Sequence, residues 1–143
     1  MEIKNIHSRK VTKIIIVDDS EMYRRVMKEF LRNELNCEVI AEAANGEAFL
    51  QLPNIHMADI VLMDLQMPRV NGFQSAQRMS IQHPNVKIIA VTMYTDKIYL
   101  SQLIELGFKG CVYKTTFFDD IIPAMHQVLT GGYYFNENIP IAL

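Results

Sequence analysis

Asp18, Asp19, Asp64, Thr92 and Lys114 each follow directly on a short apolar run, so this sequence offers three acids, a hydroxyl and an amine at comparable places. If those runs are parallel strands of one sheet, all five side chains converge on one edge of it. Three carboxylates held within several ångströms repel one another, by roughly a few kcal/mol per close pair at an intermediate dielectric. A hard divalent cation relieves that repulsion. Mg²⁺ suits the role, because it takes oxygen ligands octahedrally, keeps several waters and often binds only one or two carboxylates directly. A hydroxyl and a compact, strongly hydrated ammonium at the same rim suit the oxygens of a phosphoryl group. A carboxylate oxygen can attack phosphorus to give an aspartyl phosphate, while a metal and Lys114 neutralise charge on the transferring group. Taken singly, each residue has a plainer reading: an Asp after a strand is usually a turn or N-cap, Thr92 a helix-entry hydroxyl, Lys114 a solvated loop charge. Their recurrence at successive strand ends makes the pattern specific.

The elements that must position them follow a repeated rhythm. Lys13–Val17 is a continuous β-branched run, the mark of a strand buried on both faces, and Ser20 caps a helix in which Met22, Val26, Met27, Phe30 and Leu31 recur at helical spacing. Glu38–Ala43 reads as a second strand, Asn45-Gly46 as a turn or helix entry before Ala48-Phe49-Leu50, and Asp59–Met63 as a third strand ending at Asp64. Gly72–His83 reads as a helix with Phe73, Ala76 and Met79 inward, stopped by Pro84, and Val86–Val91 as a fourth strand ending at Thr92. Asp96–Leu106 is helical and closes with Gly107, and Gly110–Tyr113 is a short fifth strand ending at Lys114. The last helix, Thr116–Leu129, turns Ile121, Ile122, Met125, Val128 and Leu129 inward and stops at Gly131-Gly132. Five strands alternating with five helices imply an α/β fold, a five-stranded doubly wound parallel sheet with right-handed crossovers and helices on both faces. In such sheets ligands bind outside the carboxyl ends of the strands. Residues 1–12 read as an N-terminal lead-in, 13–130 as the domain, and 131–143 as the start of a linker or a C-terminal tail.

Composition narrows the function classes. The chain has 143 residues, 50% hydrophobic and 21% charged, with a formal net charge of −2 and no basic run beyond Arg24-Arg25, so nothing in it points to direct nucleic-acid binding. Cys37 and Cys111 lie far apart, which argues against a cysteine metal site or redox pair and for two small buried apolar residues in a reducing compartment. The sequence has neither a secretory signal pattern nor an apolar run approaching the ~20 residues of a membrane span, so a cytoplasmic location and no membrane partner are expected.

The motifs Ile16-Val17-Asp18-Asp19-Ser20, Val61-Leu62-Met63-Asp64-Leu65-Gln66-Met67-Pro68 with Asn71-Gly72 after it, Val91-Thr92-Met93-Tyr94 and Lys114 resemble those of response regulator receiver domains over residues 13–130. The resemblance implies the flavodoxin-like receiver fold and a phosphoacceptor role for Asp64. It further implies Mg²⁺ bound by Asp19, Asp64 and the Gln66 backbone carbonyl, with Asp18 acting through water, and phosphoryl oxygens held by Thr92 and Lys114. The donor would be a phosphohistidine on a sensor histidine kinase or phosphotransfer protein, and hydrolysis of the aspartyl phosphate would reset the switch. Such a domain is a signalling element that promotes its own phosphorylation and dephosphorylation, not an enzyme acting on a separate substrate. Thr92-Met93-Tyr94, Gly107-Phe108-Lys109-Gly110 and Gly131-Gly132-Tyr133-Tyr134-Phe135 are similar to the LuxR/NarL class, in which transcriptional control runs through a C-terminal helix-turn-helix; DNA contact would then need a domain missing from this chain.

Departures from the family pattern are visible. Cys111 stands three residues before the lysine, where the family usually has an inward-turning aromatic; strand alternation points Tyr113 the same way, as a partial substitute. Thr115 replaces a common proline, and Gln66 and Tyr94 occupy positions that tune phosphoryl lifetime in the family. An aspartate-nucleophile phosphatase of the haloacid dehalogenase type needs a second acid two residues after the nucleophile, and Gln66 and Ser20 stand at the corresponding places. A flavin-binding module lacks its phosphate loop after the first strand. A non-phosphorylated, receiver-like protein-interaction module stays open, on the strength of Cys111. The output surface is expected across residues 96–130, with Tyr99 and Leu100 prominent, serving a homodimer or an effector domain.

Overall fold

The computed structural model describes residues 11–34, 36–67, 71–93 and 100–135. In chain order the elements are β1 (Thr12–Val17), α1 (Glu21–Arg32), β2 (Cys37–Ala43), α2 (Gly46–Leu50), β3 (Ile60–Met63), α3 (Gly72–Gln82), β4 (Lys87–Thr92), α4 (Leu100–Glu105), β5 (Phe108–Tyr113), α5 (Phe117–Leu129) and β6 (Tyr134–Phe135). The strands form one parallel sheet in the order β2-β1-β3-β4-β5-β6. The chain leaves β1 outward to β2, then returns to place β3 on the other side of β1. That reversal opens a crevice at the carboxyl ends of β1 and β3.

The continuous apolar runs are explained by burial on two faces. Ile15 and Val17 join Phe49 of α2, Ala76 and Met79 of α3 and Leu103 of α4 in one core. Ile14 and Ile16, pointing the other way, join Met27 and Leu31 of α1 and Phe117, Ile121 and Val128 of α5 in the second. Ser20 and Asn45 start helices as read, Ser20 Oγ accepting from the Tyr23 N–H and Asn45 from Ala48, and the structure adds a reciprocal capping box of Asn71 with Gln74. Gly107 closes α4 at a φ of +100°, a conformation in which a side chain is strained.

The sheet is the expected parallel one with an added edge strand, and three burial expectations, in α1, at Leu129 and at Cys37, need correction. The sheet has a sixth strand: Tyr134 and Phe135 pair with Gly110 and Cys111, inside the segment expected to be linker or tail. Gly131, at a φ of +95°, turns the chain back, and the β5 edge offers backbone groups that the aromatic pair satisfies. Met22 and Val26 face solvent, while Tyr23 packs inward, so the inward stripe of α1 runs through buried Met27 and Leu31 and half-buried Tyr23 and Phe30. Leu129 is likewise exposed at the end of α5. Cys111 is buried, but Cys37 is only half-buried at the start of β2. The expected helix start at Asp96, together with Tyr94, Tyr99 and Pro68, lies outside the described residues. None of the helices among the described residues is long and apolar enough to cross a membrane.

Candidate functional site

The carboxyl ends of β1 and β3 bring Asp18, Asp19 and Asp64 together, with one oxygen from each lying within 4.8 Å of the others. Asp18 and Asp64 are buried and Asp19 is exposed at the rim. The Asp64 N–H donates to the Val17 carbonyl at 2.9 Å, which ties the residue just after β3 to the last residue of β1. Asp18 Oδ1 accepts from the Ser20 N–H at 2.9 Å, and Asp64 Oδ1 accepts from the Gln66 N–H at 3.2 Å.

Lys114 begins a short 3₁₀ turn after β5, and its Nζ reaches 2.7 Å from Asp18 Oδ2 and 3.3 Å from Asp64 Oδ2. One ammonium is therefore shared between two buried carboxylates and sits closer to Asp18. Thr92 is buried at the end of β4, in register with Tyr113, the residue before Lys114. All the residues singled out at the strand ends, Asp18, Asp19, Asp64, Thr92 and Lys114, thus occupy this one edge of the sheet. Three carboxylates and one ammonium leave a formal charge of −2, and the donors are all hard oxygens, a set that fits Mg²⁺.

The electrostatics follow from the unequal sharing. Burial raises the Asp64 carboxyl above its ordinary 3.8, the Asp18 charge adds to the rise, and Lys114 with the Gln66 N–H only partly offsets it. Burial works against the Lys114 ammonium, but the hydrogen bond to Asp18 and the charges of both acids outweigh it, so its pKa ends raised. Folded Asp64 holds its proton more tightly than the unfolded chain does. Its stabilising contribution is therefore full below 3.8 and is lost as pH rises through the higher folded value. Asp64→Asn keeps the Lys114–Asp18 pair and removes the poorly compensated charge. We expect it to raise the melting temperature of metal-free protein at pH 7 by roughly 4 °C for each kcal/mol relieved, with the gain fading toward pH 4. A melting temperature at pH 7 no higher than wild type would show that the ammonium compensates both acids.

Two further side chains at this site went unmarked in the sequence. Tyr23 donates its hydroxyl to the Lys114 carbonyl at 2.8 Å, and Arg24 Nη1 donates to the Asp18 carbonyl at 2.6 Å while its Nε pairs with Glu42. Helical phase was the available signal, since shifting the α1 stripe by one residue turns Tyr23 toward Lys114. Cys111 and Tyr113 face the same core, as alternation requires, and burial pushes the Cys111 thiol up to about 12.

The family model described as the response regulator receiver domain matches residues 14–126. This chain belongs to that family. The receiver domain is 29% identical over 136 residues to the transcriptional regulatory protein DegU of Brevibacillus brevis, covering 95% of this chain and 57% of DegU. It is 31% identical over 132 residues to the oxygen regulatory protein NreC of Staphylococcus haemolyticus, covering 92% of this chain and 61% of NreC. The chain thus spans little more than half the length of these curated relatives, which are response regulators of the LuxR/NarL type. Among solved structures, a LuxR-family response regulator from Aurantimonas superposes with a TM-score of 0.83 at 24% identity, covering 91% of this chain and 93% of that one. The isolated receiver domain of RcsB from Salmonella enterica gives 0.77 at 23% identity, covering 88% and 94%. At those identities the structural likeness establishes the parallel-sheet receiver fold.

Proposed function

We propose that this receiver domain accepts a phosphoryl group on Asp64 from a phosphohistidine of a sensor histidine kinase or phosphotransfer protein. The observation that carries the reading is the placement of Asp64: a buried carboxylate at a strand end, facing two further acids and 3.3 Å from an ammonium. An Asp64 oxygen attacks phosphorus in line, the P–N bond of the donor breaks, and the departing imidazole takes up a proton. Lys114 turns from the Asp64 carboxylate to the new phosphoryl oxygens, and Thr92 donates its hydroxyl to them. Asp19, Asp64 and the Gln66 carbonyl would hold Mg²⁺, with Asp18 acting through water, and the ion would supply the positive charge that the transferring oxygens need. Hydrolysis of the aspartyl phosphate returns the domain to its starting state.

Loss of the Lys114–Asp64 pair on phosphorylation is the local event that biases the surface over residues 96–130. That face would serve a homodimer or an effector domain. Control of transcription would run through a DNA-binding domain outside this chain, in the cytoplasm, in keeping with the names of the relatives. Intact mass after incubation with acetyl phosphate tests the reading. One phosphoryl mass should be gained with Mg²⁺, not with EDTA, and not in Asp64→Asn. No adduct with either acetyl phosphate or a phosphorylated kinase would overturn it. A second reading, a receiver-like interaction module that is not phosphorylated, is favoured by one observation: buried Cys111 where the family usually carries an aromatic.

A further inference from the structure

Tyr23 touches Lys114 at both ends. Its hydroxyl donates to the lysine's main-chain carbonyl at 2.8 Å, and its ring lies beneath the ammonium, with Nζ 4.6 Å from the ring centroid. Packing alone accounts for neither contact. The ring also meets Phe117 edge-on at 6.4 Å, and a leucine would fill much of that space while holding neither the carbonyl nor the cation. Its main chain is held at the start of α1, where its N–H donates to Ser20 Oγ. So α1 carries an arm whose tip grips the turn after β5.

The consequence concerns what happens when the lysine changes partner. A lysine side chain has four rotatable bonds and loses substantial entropy on being held. In the unmodified domain two carboxylates aim it. Once a phosphoryl group occupies Asp64, one of those partners is consumed, while the ring of Tyr23 still bears on the ammonium and its hydroxyl still anchors the main chain. We propose that Tyr23 is a positioning residue for phosphoryl transfer, holding Lys114 aimed at the phosphoryl oxygens. This rests on the phosphoacceptor reading above.

Wild type, Tyr23→Phe and Tyr23→Leu distinguish the contacts, since Phe keeps the ring and loses the hydroxyl while Leu loses both. The readouts are the rate of Asp64-dependent mass gain with acetyl phosphate at saturating Mg²⁺, the Mg²⁺ affinity of each protein, and the proton shift of the Lys114 ε-methylene. A ring face against the ε-methylene moves that signal upfield. Expected are a rate lowered about threefold in Phe, the size of one hydrogen bond, and up to about a hundredfold in Leu, the size of a desolvated cation–π contact plus that bond. The upfield shift should persist in Phe and vanish in Leu, with Mg²⁺ affinity unchanged in both. A Leu variant as fast as wild type would overturn the role of Tyr23, as would a rate that falls only in step with Mg²⁺ affinity. Wild-type protein gaining no Asp64-dependent mass would instead remove the phosphoacceptor reading, and this role with it.

Discussion

Lys114→Ala is expected to destabilise the metal-free protein at neutral pH by about 3–5 kcal/mol, the usual cost of removing one partner from a buried ion pair. The ammonium lies 2.7 Å from Asp18 and 3.3 Å from Asp64, and all three side chains are at most 10% exposed. Without it, no other cation among the described residues pairs with either carboxylate. Arg24 reaches the Asp18 carbonyl rather than its side chain, and its charge is engaged by Glu42. The loss has a signature that separates charge from packing. Lys114 lowers the Asp64 pKa, so its removal raises that pKa further, and acidification should recover part of the lost stability as the carboxylate takes up a proton. Mg²⁺ should recover part of it at neutral pH as well, by binding the folded acid cluster in the lysine's place. Urea unfolding of Lys114→Ala and Lys114→Met, in EDTA and in Mg²⁺, measures both effects. Met restores most of the side-chain volume and none of the charge, so it should behave like Ala. A Met variant close to wild type would show that Lys114 acts by filling space.

How much of this could be read beforehand depends on the range of the interaction. The acids, the hydroxyl and the lysine were legible because a parallel sheet places every strand end on one edge, and a two-faced buried strand such as Ile14–Val17 advertises itself by continuous apolar residues. Knowing the order of strands and helices therefore sufficed to bring together residues 96 positions apart, Asp18 and Lys114. Tyr23 was hidden for a different reason. Met22 and Val26 share the helical spacing of Tyr23 and Met27, and an aromatic with a polar tip does not stand out from two aliphatic neighbours. Only the position of the turn after β5 decides which of the two phases is buried. Arg24 carries no sequence signal at all, since its target is a main-chain carbonyl. The sixth strand was missed because strand pairing depends on a partner edge that the Tyr-Tyr-Phe segment cannot reveal by itself.

The Asn71-Gly72 pair was recognisable only as part of a family motif, and the fold supplies its physical reason. A Cβ on Gly72 would overlap the carbonyl oxygen of Asp64 and sit 2.7 Å from the Cα of Leu65. Both obstacles are backbone, and both belong to the segment that carries the phosphoacceptor candidate. The first residue of α3 rests directly on that segment, with the Gly72 N–H reaching the Leu65 carbonyl at 3.3 Å. Gly72→Ala must therefore push α3 off the end of β3 or displace Asp64. Overpacking against an immovable neighbour costs about 3 kcal/mol, and the melting temperature should fall by roughly 10 °C. Gly131→Ala is the control, since its φ of +95° strains any side chain but nothing lies within 4 Å of the added carbon. That variant should lose only the left-handed penalty, about 1–2 kcal/mol, and accept a phosphoryl group as wild type does. In Gly72→Ala the rate of mass gain with acetyl phosphate should fall along with stability, because the carboxylate no longer faces Lys114 and the two acids that follow β1. Equal melting temperatures and equal rates for the two variants would mean that α3 can yield without disturbing Asp64.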